Sequence, residues 1–129
     1  MSIRIVRLGE PRLSEEGIRL GTVRRPPRGV KKEDYSRLDY YDLWLPDLSP
    51  SAELVSLARS ESATEKDWAK FVKSYRREMK QPGPERLLQL LALLSRQTNF
   101  SVGCYCERED HCHRSILREL LVEHGAEVK

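Results

Sequence analysis

Twelve consecutive residues, Cys104-Tyr105-Cys106-Glu107-Arg108-Glu109-Asp110-His111-Cys112-His113-Arg114-Ser115, carry three thiols, two imidazoles, two guanidiniums and three carboxylates. Packing alone does not call for such a concentration of reactive side chains. A thiolate near a helix N-terminus has a depressed pKa and is a good nucleophile, which makes Cys106 and Cys112 candidate catalytic residues. His113 is placed to act as base or orienter, and Arg114 to clamp an oxyanion. Zinc also favours thiolate and imidazole ligands, so Cys104, Cys106 and Cys112 with His111 or His113 form an alternative ligand set, although Cys-x-Cys is a less usual spacing than Cys-x2-Cys. The structural alternative is that Cys104 is a small hydrophobe on a buried strand face, with Cys106 and Cys112 in a local disulfide or reduced.

The Cys-x5-Arg phosphate loop is missing, because Cys112 stands six positions after Cys106 and Arg114 two later. Phosphatase chemistry is therefore not assigned. A second concentration of charge lies in Arg24-Arg25-Pro26-Pro27-Arg28-Gly29-Val30-Lys31-Lys32, where two prolines and a glycine forbid regular structure while five cations crowd together. With Tyr35, Tyr40 and Tyr41 nearby, this loop could bind nucleic acid by phosphate contact and stacking. The bland alternative is a solvated face or ion pairs with Asp39, Asp42 and Asp47.

Together these features predict an anion site at the corner after the last strand, roofed by the basic loop and suited to a phosphate-bearing small molecule. Its expected ligand-binding residues are Arg24, Arg25, Arg28, Lys31, Arg114 and Ser115, with the anion near the N–H groups of residues 112–115. No metal is assigned and no cofactor follows from the residues. Cys104 and Cys106 share a strand face with Phe100 and Val102, so at least Cys104 is expected to point into core and the site to be indifferent to chelators.

The elements that must position these groups follow from periodicity. Residues 3–8 and 18–24 alternate like strands, and the aromatic residues 40–45 form a third that stops at Pro46. Ser49 is the expected N-cap of a helix to about Arg59, with Pro50 at its first position. Thr64-Glu65-Lys66-Asp67 resembles a capping arrangement before a helix whose Trp68, Phe71, Val72, Tyr75 and Met79 make one apolar stripe, read as core. Pro82-Gly83-Pro84 is expected to break the chain before a leucine-rich helix, residues 85–96, packed on both sides as core or oligomer interface. Residues 100–106 read as the last strand, 107–111 as a loop and 113–124 as the closing helix, ended by Gly125 with His124 as a dipole partner. The order β-β-β-α-α-α-β-α predicts a single small α/β domain over residues 1–129, a mostly parallel sheet flanked by helices.

Composition agrees. The chain has 129 residues, 39% hydrophobic and 33% charged, with a net charge of +3 that is too mild to argue for nucleic acid on its own. The charge falls in blocks: seven Lys or Arg against two acids over residues 18–37, two against seven over 38–67, and seven against two over 68–103. No apolar run approaches the length of a membrane span and the N-terminus has no secretion signal, so no membrane partner and a cytoplasmic location are expected. Three cysteines within nine residues also differ from a secreted disulfide framework.

The residues 21–32, Trp44-Leu45-Pro46 with Ser49-Pro50-Ser51, the helix around Phe71 and Tyr75, and Cys104-Tyr105-Cys106-Glu107 with Cys112-His113-Arg114 resemble the YeaO-like proteins, a prokaryotic domain of unknown function numbered 488. The resemblance spans nearly the whole chain. It implies a small α/β fold with the basic loop and the last strand's loop as signature regions, and it lends no established activity. The YeaO branch itself lacks the cysteines.

Overall fold

The computed structural model describes residues 1–59, 64–106 and 112–129. The expected loop at 107–111, including His111, lies outside the described residues. Four strands, β1 (Ile3–Arg7), β2 (Ile18–Gly21), β3 (Leu43–Trp44) and β4 (Phe100–Cys104), form one all-parallel sheet in the order β1-β4-β2-β3. Four helices accompany it: α1 (Ala52–Arg59), α2 (Glu65–Met79), α3 (Pro82–Leu94) and α4 (His113–Glu123). The α/β class and the parallel sheet read from the sequence are borne out. Among the described residues, no helix is long and apolar enough to cross a membrane.

The last strand in sequence is central in space. β4 pairs Ile3 with Phe100 on one side and Ile18 with Phe100 on the other, and all five of its residues are buried. Burial on both faces is the usual state of a parallel strand and suits the continuous small and apolar run Phe-Ser-Val-Gly-Cys. Gly103 is required there, because a Cβ would sit 2.6 Å from the Val6 carbonyl oxygen on β1. The main core joins Val102 and Phe100 to Phe71, Tyr75 and Met79 of α2, Leu88 and Leu91 of α3, and Ile116, Leu117, Leu120 and Leu121 of α4. A smaller cluster of Leu8, Val23, Tyr41, Cys104 and Cys112 sits at the carboxyl ends of the strands.

Helix α2 begins as expected, with Thr64 and Asp67 closing a reciprocal capping box. Several boundaries differ from the sequence reading. β2 ends at Gly21, because Arg24 turns away to donate to the Pro46, Ser49 and Pro50 carbonyls. β3 shrinks to two exposed residues, because Tyr41 turns into the small core and Asp42 accepts the Arg19 N–H. Ser51 replaces Ser49 at the start of α1: its Oγ accepts from Leu54 N–H, while Ser49 Oγ donates to the Pro46 carbonyl. Pro82-Gly83-Pro84 does not break the chain but forms the first turn of α3, where backbone N–H groups have no helical partner to lose. That helix is packed on one side only, leaving Leu90, Leu93 and Leu94 exposed. β4 ends at Cys104, two residues early, so Cys106 lies beyond the sheet. His124 caps α4 with its Nδ1 2.8 Å from the Leu120 carbonyl oxygen, ahead of Gly125 at φ +87°.

Candidate functional site

An open cavity of about 900 Å³ lies beyond the carboxyl ends of β2 and β4, where ligands bind in parallel sheets. Val23, Arg24, Arg25 and Arg28 reach it from the chain after β2, and Cys104, Tyr105 and Cys106 from the end of β4. Cys112 and His113 enter from the start of α4, with Ala52, Val55 and Ser56 from α1 and Phe71 from α2. The basic loop and the cysteines, some eighty residues apart in sequence, therefore share one wall.

Their juxtaposition follows from the sheet order. β4 lies against β2, and just past β2 the Thr22 N–H and Oγ each donate to the Gly103 carbonyl of β4 at 3.0 Å. The loop is then fixed at three points. Trp44 Nε1 donates to the Val23 carbonyl at 2.8 Å, the Arg24 guanidinium binds three carbonyls ahead of α1, and the Tyr105 hydroxyl donates to the Arg25 carbonyl at 3.0 Å. Arg25 and Arg28 remain exposed on the cavity rim.

The sulfur atoms of Cys104, Cys106 and Cys112 all lie within 4.8 Å of one another. Cys104 and Cys112 are buried, with sulfurs 2.7 Å apart, whereas Cys106 is exposed, and all three are free thiols. Hydrogen bonds from Cys104 and then Cys112, helped by the nearby charge of Arg114, outweigh burial and pull the Cys106 thiol down to about 2. Cys104 moves the other way, because its proton is held against the Cys106 and Cys112 sulfurs and because it is buried. At Cys112 the Cys104 hydrogen bond lowers the pKa, but the contact with Cys106 and burial prevail and raise it to about 11. These opposed shifts favour ionisation at the exposed Cys106 over the two buried thiols behind it.

His113 is buried edge-on to Tyr75. Its Nε2 lies 2.7 Å from the Thr22 carbonyl oxygen, which can only accept, so Nε2 carries the hydrogen. Nδ1 is left with a lone pair 3.7 Å from Cys112 Sγ. Burial, partly opposed by the Thr22 bond, lowers the imidazole to about 4, so it is a neutral base at pH 7.

Of the residues singled out in the sequence, the cavity wall unites Cys106, Cys112 and His113 with Arg24, Arg25 and Arg28. Lys31 is exposed and outside the wall. Arg114 is buried and lines a second cavity of about 470 Å³ with Arg7 and Arg19; it acts on the thiols by its charge and by donating to the Cys106 carbonyl at 2.6 Å. Ser115 is committed locally, its N–H and Oγ both donating to the Cys112 carbonyl, so its N–H is not open to an anion. Among the described residues Arg24 meets carbonyls and not acids, while Asp39 and Asp42 pair with Arg12. Of the tyrosines proposed for stacking, Tyr41 is buried, and Tyr35 and Tyr40 pack edge-on against Tyr41 and Tyr105. Cys104 does point into core, but that core contains Cys112, so its burial does not separate the thiols.

Sequence reasoning missed Thr22, Tyr105, Trp44 and the cavity face of Phe71. Only Tyr105 carried a local signal, since it stands between two of the cysteines. A family model described as the active DUF488-N3 subclade (DUF488-N3a) matches residues 3–125. No curated protein and no solved structure matches the chain.

Proposed function

Since this chain belongs to the DUF488-N3a family, in keeping with its resemblance to the YeaO-like proteins, we propose that it binds a phosphate-bearing small molecule and presents Cys106 to it as a nucleophile. The observation that carries this reading is that the exposed Cys106, Arg25 and Arg28 line the same cavity. The arginines would take the anionic group, and Cys106 would face the remainder of the ligand. Cys104 and Cys112, with sulfurs within 4.8 Å of Cys106, favour its ionised form. Free thiols so close together suit a reducing compartment, which supports the cytoplasm as its location.

Alkylation tests the reading. Cys106 should react with anionic iodoacetate in preference to neutral iodoacetamide, and inorganic phosphate should protect it. An Arg25→Ala, Arg28→Ala double variant should lose about tenfold in iodoacetate rate, the low end of electrostatic focusing, with the iodoacetamide rate unchanged. Equal rates with both reagents and no protection by phosphate would refute the anion site. A second reading, a thiophilic metal ion on the three sulfurs, is favoured by their mutual approach within 4.8 Å. It predicts instead that alkylation is slow until a chelator is added.

A further inference from the structure

One thiolate is enough for nucleophilic attack, and serine could donate hydrogen bonds to it. Two more thiols within 4.8 Å of that nucleophile, one with a neutral imidazole at 3.7 Å, supply what attack alone does not need: a resolving thiol that completes a two-electron exchange. We propose that the site reduces an anionic disulfide through a three-thiol relay, with Cys106 attacking, Cys112 resolving and Cys104 receiving the final bond. This rests on the anion-binding reading above for the placement of the substrate.

The steps balance. Cys106 thiolate attacks one sulfur of the substrate R–S–S–R, forming a Cys106–S–S–R mixed disulfide and releasing the first thiolate. His113 Nδ1 takes the proton of Cys112, whose sulfur attacks Cys106 Sγ. A Cys106–Cys112 disulfide forms, the second R–S⁻ leaves, and the proton held on His113 can follow it. Cys104, 2.7 Å from Cys112, then gives up its proton to solvent through the cavity and attacks Cys112 Sγ, yielding a Cys104–Cys112 disulfide and restoring the Cys106 thiolate. Substrate gains two electrons and the protein loses two. An external dithiol returns them and closes the cycle. The imidazole is poised for the resolving step because Thr22 holds the hydrogen on Nε2, leaving the lone pair toward Cys112.

The dianionic aromatic disulfide dithiobis(nitrobenzoate) is a direct probe, because each released aryl thiolate is coloured. With one equivalent, the wild-type protein should release two aryl thiolates in two phases, retain no aryl adduct by mass spectrometry, and yield a Cys104–Cys112 disulfide on peptide mapping. Cys112→Ser should stop after the first phase with the adduct on Cys106. Cys104→Ser should complete both phases and leave a Cys106–Cys112 disulfide. His113→Gln should slow the second phase by at least about tenfold with the first unchanged, as expected when a positioned base is lost. A stable adduct on the wild-type protein, or an undiminished second phase in both Cys112→Ser and Cys112→Ala, would overturn the relay. Phosphate acts on the first phase alone, so loss of its inhibition with the second phase intact would refute only the anion-binding reading.

Discussion

Two buried polar groupings lie near β2, and they differ in how completely they are satisfied. On one side Glu16 and Arg19, both fully buried, form an ion pair at 2.9 Å, and every guanidinium nitrogen of Arg19 has a partner: Nε and Nη2 on Glu16, Nη1 on the Glu10 and Asp39 carbonyls. At the other, Arg114 is buried with its Nε unpartnered among the described residues, His113 Nδ1 has only a long 3.7 Å contact to Cys112 Sγ, and three cysteine sulfurs crowd within 4.8 Å of one another. A closed network fixes structure and leaves nothing over to offer a ligand. Residual hydrogen-bonding capacity is the property of a site, and here it borders the cavity.

The strongest way to break the contrast is to open the closed side. Glu16→Ala leaves Arg19 buried and uncompensated, and should cost about 3–5 kcal/mol in denaturant unfolding. The iodoacetate rate of the folded protein should be unchanged, since neither residue lines the cavity that holds Cys106. A comparable loss of thiol reactivity would mean that the two groupings are one network.

A smaller effect should appear at the open side as the pH falls. Folded His113 titrates near 4 and the unfolded residue near its ordinary value of about 6.5, so the unfolded chain binds the extra proton between these limits. Stability should be full above about pH 6.5 and decline down to about pH 4, by at most about 3 kcal/mol. His113→Gln should flatten that slope. Asp42, held near 2 mainly by its hydrogen bonds with Arg12 and Ser36 against the opposing cost of burial, contributes only at still lower pH. The smallest change expected is at Arg114. Replacing it with Met removes a positive charge that favours the Cys106 thiolate, and should raise the pKa read from the pH profile of alkylation by about one unit, with the rate at neutral pH unchanged and stability within about 1 kcal/mol.

How far each grouping was legible in the sequence follows the same division. The cysteine cluster is local, and Cys112 and His113 needed only the expected strand and helix ends to fall near Cys106. Alternation identified β1 and the aromatic stripe identified α2, because one buried face imposes a period, whereas β4 showed as a short continuous small and apolar run. The Glu16–Arg19 pair gave no sign, since three residues between opposite charges is an unremarkable spacing on a surface. The role of Arg24 was misjudged for a related reason: its carbonyl partners lie more than twenty residues away, at a helix entry that tertiary contacts create. Tyr105 on the Arg25 carbonyl and His113 on the Thr22 carbonyl both require β4 to lie beside β2, a pairing across about eighty residues that no local pattern encodes.

The placement of β4 between β1 and β2 also governs the order of assembly. Neither early strand has its principal neighbour until residues 100–104 arrive, so most of the sheet consists of contacts distant in sequence, a topology that folds slowly. During synthesis the earlier elements wait with strand edges exposed, and the chain then zips on both sides of one strand. That same event carries Cys104 and Cys106 up to the tethered arginine loop and draws α4 in behind them. A nascent chain therefore cannot set Cys106 beside Arg25 and Arg28 before β4 has docked on β2, and preference for an anionic reagent at Cys106 becomes a clock for the last stage of folding.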